Sequence, residues 1–405
     1  MHKQNSAMKK TFVSHILSLT CFLSISLTSL AQPHYAQVLK DVEAKNPTLL
    51  VASRHAEAEK ATAYVGALID DPEVEAGYFW GDPAANGIRW DLSVSQSFEM
   101  PSVLVRRARL RKLQENAAGL EYQQLRYQTL LEVQQLCADL IYYRNVAKIY
   151  DRRCTAAIKL AQLYQCRYDL GDCSILEYNR AQMNLADVQN KAAEANLMED
   201  HATHDLCRLM NVDSYHFPQM DYDSVWVEAS FESWYEQMEM RLPVLRQLDN
   251  NVAVSQQQEQ LSRAQWLPQV SVGYASENVV GDTWRGVKLG LSLPLWSQQR
   301  AVRTAKLQTS ASQEALTAKR TETFNNLRCM FHRHEALIRN LHNLKTAFRQ
   351  SNSVALLDKA LASGEIDLEQ YLLQVNYYNE VEMEIWNTAR ELEQLHLVLY
   401  SVELQ

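Results

Sequence analysis

From Leu136 to Tyr168 the apolar residues recur at alternating intervals of four and three: Leu136, Leu140, Tyr143, Ala147, Tyr150, Cys154, Ala157, Ala161, Tyr164, Tyr168. That spacing is the seam of a coiled coil, and its small residues imply close helix packing. The seam resumes at Tyr178, Ala181, Leu185, Val188, Ala192 and Ala195. All of Ser102 to Phe217 lacks proline and holds two glycines, Gly119 and Gly171. Proline breaks helix interiors and glycine weakens them. The stretch is therefore predicted as two long helices reversing at Gly171, the first spanning roughly 100 Å at 1.5 Å per residue. Ser174 and Glu177 would open the return helix as a capping box. Leu295 to Gln405 repeats the arrangement with no proline and one glycine, Gly364. Asp367 and Gln370 stand after Gly364 as Ser174 and Glu177 stand after Gly171.

Elsewhere the period is two, which predicts strands with one apolar and one polar face. Val74, Ala76, Tyr78 and Trp80 alternate with Glu73, Glu75 and Gly77, giving a strand over 73–80. After a turn at Gly81 to Gly87, Trp90, Leu92 and Val94 alternate with Asp91, Ser93 and Ser95, giving a strand over 88–98. The same reading puts strands at 269–277 and 285–293, with a turn at Gly281-Asp282. Val270, Val272 and Tyr274 are apolar on the first of these, and Val287, Leu289, Leu291 and Leu293 on the second. Each long helix begins directly after a hairpin, at Pro101 and Pro294. Tyr35 to Leu68 reads as a helix entered or restarted at Asn46-Pro47 and stopped by Asp70-Asp71-Pro72.

The two halves are copies. Pro47, Pro72, Gly77 and Tyr78 recur as Pro243, Pro268, Gly273 and Tyr274, each 196 residues on, and Gly171 recurs as Gly364, 193 on. The predicted organisation is a signal segment at 1–31, a first repeat at 32–217, a linker at 218–240 and a second repeat at 241–405. Such a period fixes architecture more firmly than any single motif.

Composition narrows the classes. A net charge of −8, with no basic stripe among aromatics, argues against nucleic acid as a partner. The N-terminus reads as a cleaved export signal. Met8-Lys9-Lys10 is basic, Thr11 to Leu30 is apolar or small, and Ser29-Leu30-Ala31 precedes Gln32 as a small-x-small site. An uncleaved anchor is the other reading. Thr20 before Cys21 argues against lipidation. Past the signal six cysteines remain. Cys166 and Cys173 flank the Gly171 turn, and Cys137 and Cys207 lie further from it, so disulfides are conceivable; free thiols are the preferred reading. His201, His204 and Cys207, and Cys329, His332 and His334, offer metal-ligand types. Residues i and i+6 diverge by about 120° on a helix, so packing or surface roles account for them better. No nucleophile–base set, phosphate loop or zinc-protease motif is present, and neither an enzyme nor a cofactor is expected.

No stretch past the signal is apolar enough for a transmembrane helix, so any membrane crossing falls to the strands. Strands of about 10 residues have the length to span. Four cannot close a barrel, and an open edge in lipid is prohibitive. Several chains would have to share one barrel, and three copies would supply twelve strands. Tyr78, Trp80, Trp90, Tyr274 and Trp284 suit interfacial belts. The alternative is a soluble β-cap between coiled coils, as in a secreted scaffold or adhesin stalk without a pore.

Over nearly all of the mature chain the sequence resembles the TolC-like outer membrane efflux proteins. The resemblance rests on Asn46-Pro47, the strand start at Asp71-Pro72, the Tyr168-x-x-Gly171 tip with its counterpart at Gly364, and the two-fold repeat. It implies a fold that is mainly α with a β-barrel portion, in a homotrimer sharing a twelve-stranded outer membrane barrel and an α-helical periplasmic tunnel. It also implies tripartite export with a periplasmic adaptor protein and an inner-membrane pump of the RND class. The Asn-Pro opening and the Asp-Asp-Pro-Glu strand start look most like the heavy-metal-cation branch (CusC/CzcC-like), which leaves metal cations or drugs as cargo. Carried over, adaptor docking falls on Arg167, Tyr168, Leu170 and Gly171, and on Ala362, Ser363, Gly364 and Ile366. Relatives gate with acidic residues one or two turns past the second tip. Here Gln370 and Leu373 occupy those positions, so the gate candidates become Glu177, Arg180, Asp367, Glu369 and Gln370. A ring of carboxylates tripled by symmetry would attract cations, although Glu177 also serves as the capping-box carboxylate.

Overall fold

The computed structural model describes residues 35–81, 87–222, 230–294, 296–351 and 354–401. The expected export signal lies outside them, as do most of the first hairpin turn and part of the linker. The first repeat comprises α1 (Ala36–Lys45), α2 (Pro47–Val65), β1 (Glu73–Trp80), β2 (Ile88–Phe98), α3 (Pro101–Asp169) and α4 (Ile175–Met210). The second comprises α5 (Phe231–Glu239), α6 (Pro243–Ala264), β3 (Gln269–Val279), β4 (Asp282–Ser292), α7 (Ser297–Gln350), α8 (Val354–Ser363) and α9 (Leu368–Tyr400). They form two compact units, residues 35–46 with 132–222 and residues 47–131 with 230–401.

In the first unit part of the predicted seam is buried in the core, alongside off-seam residues such as Cys137, Ile141, Ile149 and Leu206, while Tyr143, Tyr150 and Leu185 are half-buried and Tyr168 is exposed. Leu140, Ala147, Ala157, Ala161 and Tyr164 of α3 are buried, as are Ala181, Val188, Ala192 and Ala195 of α4. Alanine at most of these positions lets the backbones approach closely, which leucine would prevent. Asn46 explains why the first helix restarts. A residue before proline is pushed to extended geometry, and Asn46 sits at φ −65°, ψ 120°. Its buried Nδ2 donates to the Leu209 carbonyl at 2.8 Å. That carbonyl lies in the last turn of α4, where helices leave acceptors unsatisfied. Arg144 ties the same region together, donating from Nε to Glu199 and from Nη1 to the Phe217 carbonyl.

In the second unit the sheet and the second helical hairpin follow the predicted order, with two corrections. The proline-free stretch after Pro294 is not one unbroken helix to the tip: α7 ends at Gln350 and α8 begins at Val354. Ser351 caps the break, its Oγ donating to Ala347 O at 2.8 Å and Phe348 O at 3.3 Å. Short hydroxyl side chains compete with the helix for backbone partners, and no proline is needed to stop it. The second hairpin is also tighter than expected. β3 runs to Val279 and β4 starts at Asp282, leaving Val280 and Gly281 as the turn. Both have positive φ, 52° and 99°, the requirement of a two-residue hairpin turn.

The apolar core of this unit gathers α5, α7 and α9. Phe231, Trp234 and Tyr235 pack with Leu327 and Phe331 of α7 and with Leu399 and Tyr400 of α9. Beside them a buried histidine, His334, meets a half-buried one, His396. His334 stacks on His396 at 5.5 Å, and His396 lies 4.6 Å from Tyr400. Burial lowers the pKa of His334, with the Glu335 carboxylate opposing. For His396 burial and then the neighbouring His334 push it down to about 4. Both rings are therefore neutral in the folded protein near pH 7. An unfolded histidine titrates near 6.5, so below that pH the unfolded chain binds more protons. The stabilisation is complete above about 6.5 and is lost progressively toward about 4. The melting midpoint should fall between pH 7 and pH 5, and His396→Leu should flatten that slope. Equal slopes in the two proteins would show that the pair does not govern it.

Candidate functional site

Both helical tips end in the same hydrogen-bonded turn. At the first, Asp172 N donates to Arg167 O at 2.7 Å and Gly171 N to Tyr168 O at 3.0 Å. At the second, Glu365 N donates to Ala360 O at 2.9 Å and Gly364 N to Leu361 O at 3.2 Å. These paired bonds are the Schellman motif, which needs a left-handed residue just past the helix. Gly171 and Gly364 supply it at φ 76° and 75°. A side chain at either would meet open space, so the conformation alone demands glycine.

The tips differ in what they display. At the first, Arg167 stacks over the buried Tyr164 ring at 5.2 Å and donates to the Asp172 carbonyl. Tyr168 stacks on Tyr178 across the hairpin at 5.2 Å. Leu170, Ile175 and Leu176 are left exposed. At the second, Ala362, Ser363 and Gly364 are exposed, Ile366 is half-buried and Leu368 is buried. Tyr371 donates to Asp358 Oδ1 at 2.7 Å, fastening α9 to α8.

The four strands form one antiparallel sheet in the order β1-β2-β3-β4. Directly paired residues share a face, so the register assigns faces. Val74 pairs with Val94, Val94 with Tyr274, and Tyr274 with Val287. Phe98 pairs with Val270 and Val270 with Leu291. One face is therefore apolar over most of its area, with its large side chains exposed, while Ser276, Asn278, Thr283 and Arg285 make it polar toward the β3–β4 turn and Gln96 interrupts it on β2. The other carries Glu73, Glu75, Arg89, Asp91, Ser93, Ser95, Glu277 and Lys288. Tyr78, Trp80 and Trp90 stand on the apolar face near strand ends, whereas Tyr274 shares that face but sits at the middle of β3, opposite Val94 and Val287. Trp284 is not on that face: it pairs with Glu277 and stands on the polar face. At 11 residues, β2, β3 and β4 would each extend about 36 Å at 3.3 Å per residue, which spans a bilayer core when tilted.

Two of the solved structures most similar to this chain are named outer membrane channels. The Campylobacter jejuni CmeC outer membrane channel superposes with a TM-score of 0.77 at 14% identity, over 91% of this chain and 85% of that one. The Neisseria gonorrhoeae MtrE outer membrane channel, in its open state, gives 0.76 at 12%, over 91% and 88%. The chain has the fold of these outer membrane channels. CusC, whose structures describe transmembrane channel formation, gives 0.77 at 12% over 93% and 95%, so the fold does not single out the heavy-metal branch. No protein-family model and no curated relative matches the sequence.

Within this channel fold the gate candidates divide by what they already do. Glu177 accepts from Ser174 N at 2.8 Å while Ser174 Oγ accepts from Glu177 N, the full capping box. Asp367 Oδ1 accepts from Gln370 N at 2.8 Å. These two carboxylates are engaged in starting helices, whereas Arg180, Glu369 and Gln370 are exposed. All six described cysteines are free thiols. Burial pushes the Cys137 thiol up to about 12, which keeps it protonated and inert.

Sequence reasoning missed a second aromatic level. Trp266 and Leu267 lie just before β3, Trp296 just after β4, and Leu68 and Ile69 before β1, all exposed. Their signal was present: bulky apolar residues beside Pro268, Pro294 and Pro72, outside the alternating runs. They lie beyond the opposite ends of the strands from Trp80 and Trp90, so exposed bulky residues flank the sheet at both ends.

Proposed function

We propose that the chain is an outer membrane export duct. Three copies would share one twelve-stranded barrel, and the helical hairpins would extend into the periplasm to meet an adaptor protein and an inner-membrane pump, by the family resemblance one of the RND class. One observation carries this reading: a sheet with a broad exposed apolar face that turns polar toward the β3–β4 turn, a polar opposite face and two open edges. In water such a face is an aggregation hazard. In lipid the face is at home and the edges are not, so the edges call for further strands. Among the described residues no helix is long and apolar enough to cross a membrane, which leaves that task to the sheet.

The polar face, which would line the lumen, carries Glu73, Glu75, Asp91, Glu277 and Asp282 against Arg89 and Lys288. Arg89 pairs with Glu277 at 2.7 Å. The excess of carboxylates favours cationic cargo, whether metal ions or basic drugs. Exposed Leu170, Leu176 and Tyr168 at the first tip, with Ser363 and Gly364 at the second, are the proposed adaptor contacts. The duct reading is tested by detergent extraction of the outer membrane, sizing and planar-bilayer recording. A trimer with cation-preferring conductance is expected. A water-soluble monomer would sink the proposal, and a trimer without conductance would favour a scaffold.

A further inference from the structure

The internal repeat specifies how neighbouring copies join. The β1 and β4 edges of the four-stranded sheet are open, and the joint between repeats, β2 against β3, is resolved residue by residue. There Ser95 faces Gly273, Val94 faces Tyr274, Ser93 faces Ala275 and Leu92 faces Ser276. Gly77 and Tyr78 of β1 are the counterparts of Gly273 and Tyr274 of β3, 196 residues on. Gly77 pairs with Asp91 and Gly273 with Lys288, so β4 follows β2 at an offset of 197. Applying both offsets to the β2–β3 joint gives a pairing between β4 of one copy and β1 of the next.

We infer that β4 pairs antiparallel with β1 of a neighbouring copy, with Ser292 opposite Gly77, Leu291 opposite Tyr78, Gly290 opposite Phe79 and Leu289 opposite Trp80. This rests on the duct reading above and adds its register. The residues that this register brings together agree with it. Apolar meets apolar at Leu291–Tyr78 and Leu289–Trp80. Ser292–Gly77 repeats the residue types of Ser95–Gly273, where a side chain on the glycine would come within 2.7 Å of the Val94 carbonyl. Phe79, the largest side chain on the polar face of β1, falls opposite Gly290, whereas the equivalent pair inside the chain is the two small residues Ser93 and Ala275. Volume removed from one strand is restored on the other. A slip by two residues would keep the faces matched, but would set Phe79 against Lys288 or Ser292 and lose the glycine pairings.

The test uses full-length protein with its cysteines replaced by serine, carrying one cysteine pair per chain. Tyr78→Cys with Leu291→Cys, and Trp80→Cys with Leu289→Cys, are in register. Tyr78→Cys with Leu289→Cys, and Tyr78→Cys with Leu293→Cys, are slipped by two. Opposed residues lie within disulfide reach, whereas diagonal ones lie about 7–8 Å apart. After mild oxidation, both in-register pairs should give a covalent trimer on a denaturing non-reducing gel, with yields at least about ten-fold above the slipped pairs. A trimer by sizing that crosslinks best through a slipped pair, or through none, overturns the register and leaves the duct intact. A monomer by sizing overturns both.

Discussion

Val287→Arg is expected to empty the outer membrane of assembled protein, while Lys288→Glu, one residue along, leaves the assembled amount unchanged. Strand side chains alternate between faces, so these neighbours report on opposite surroundings. Val287 is central in β4, pairs with Tyr274 on the apolar face, and is 73% exposed. An arginine held against lipid near the bilayer midplane costs roughly 2–4 kcal/mol. Three copies carry it at once, for a total on the order of 6–12 kcal/mol, comparable with the whole stability of a typical domain. Lys288 lies on the face with Glu277 and Asp91, where water or counter-charges accept either sign. The measurement is the trimer band from the membrane fraction of unheated, mildly solubilised cells. Equal assembly of both variants would mean that the apolar face does not meet lipid.

What the sequence disclosed, and what it did not, follows from how local each feature is. The coiled-coil seam, the tips and the capping box at Ser174 depend on residues within a turn or two of one another, so spacing alone finds them. The repeat was legible because proline fixes its own φ and a positive-φ turn accepts little but glycine, which keeps Pro47 and Pro243, and Gly171 and Gly364, in step. Trp284 was grouped with the belt aromatics by its nearness to a strand end, although parity with Lys288 already placed it on the polar face. The break at Ser351 escaped because serine is only mildly unfavourable inside a helix. The Asn46 bond to Leu209 escaped for another reason: the partners are 163 residues apart, and no periodicity connects a linker amide with a distant helix end. The seam residues on α3 and α4 were found from spacing, but the stacked His334 and His396 were not, since neither helix alone shows that their rings meet.

Trp234→Ala should release α5 and lower stability by about 3–5 kcal/mol, the range for removing a buried large aromatic. With nine residues, α5 is too short to hold its shape unaided. Its sequence gives it one strong face, Phe231, Trp234 and Tyr235, all buried. Ser230 caps it by accepting from Ser233 N at 3.3 Å. Trp234 is the ring that joins the three helices, lying 5.8 Å from Phe331 on α7 and 6.2 Å from Tyr400 on α9. Its Nε1 is buried without a hydrogen-bond partner among the described residues. A buried unsatisfied donor costs about 1–3 kcal/mol, so the indole helps through area and shape and loses through its N–H. Trp234→Phe keeps an aromatic ring in the site and removes that donor, and should therefore cost far less than Trp234→Ala. Two readouts separate this from general damage. Limited proteolysis should cut the alanine variant within residues 230–242 while the sheet stays protected, because the released helix is short and local. The melting midpoint should then rank wild type and Trp234→Phe close together and Trp234→Ala well below. If alanine melted with the wild type, α5 would be a passenger on the surface. If phenylalanine fell as far as alanine, the indole N–H would have a partner worth keeping, and the anchor would be a hydrogen bond instead of packing.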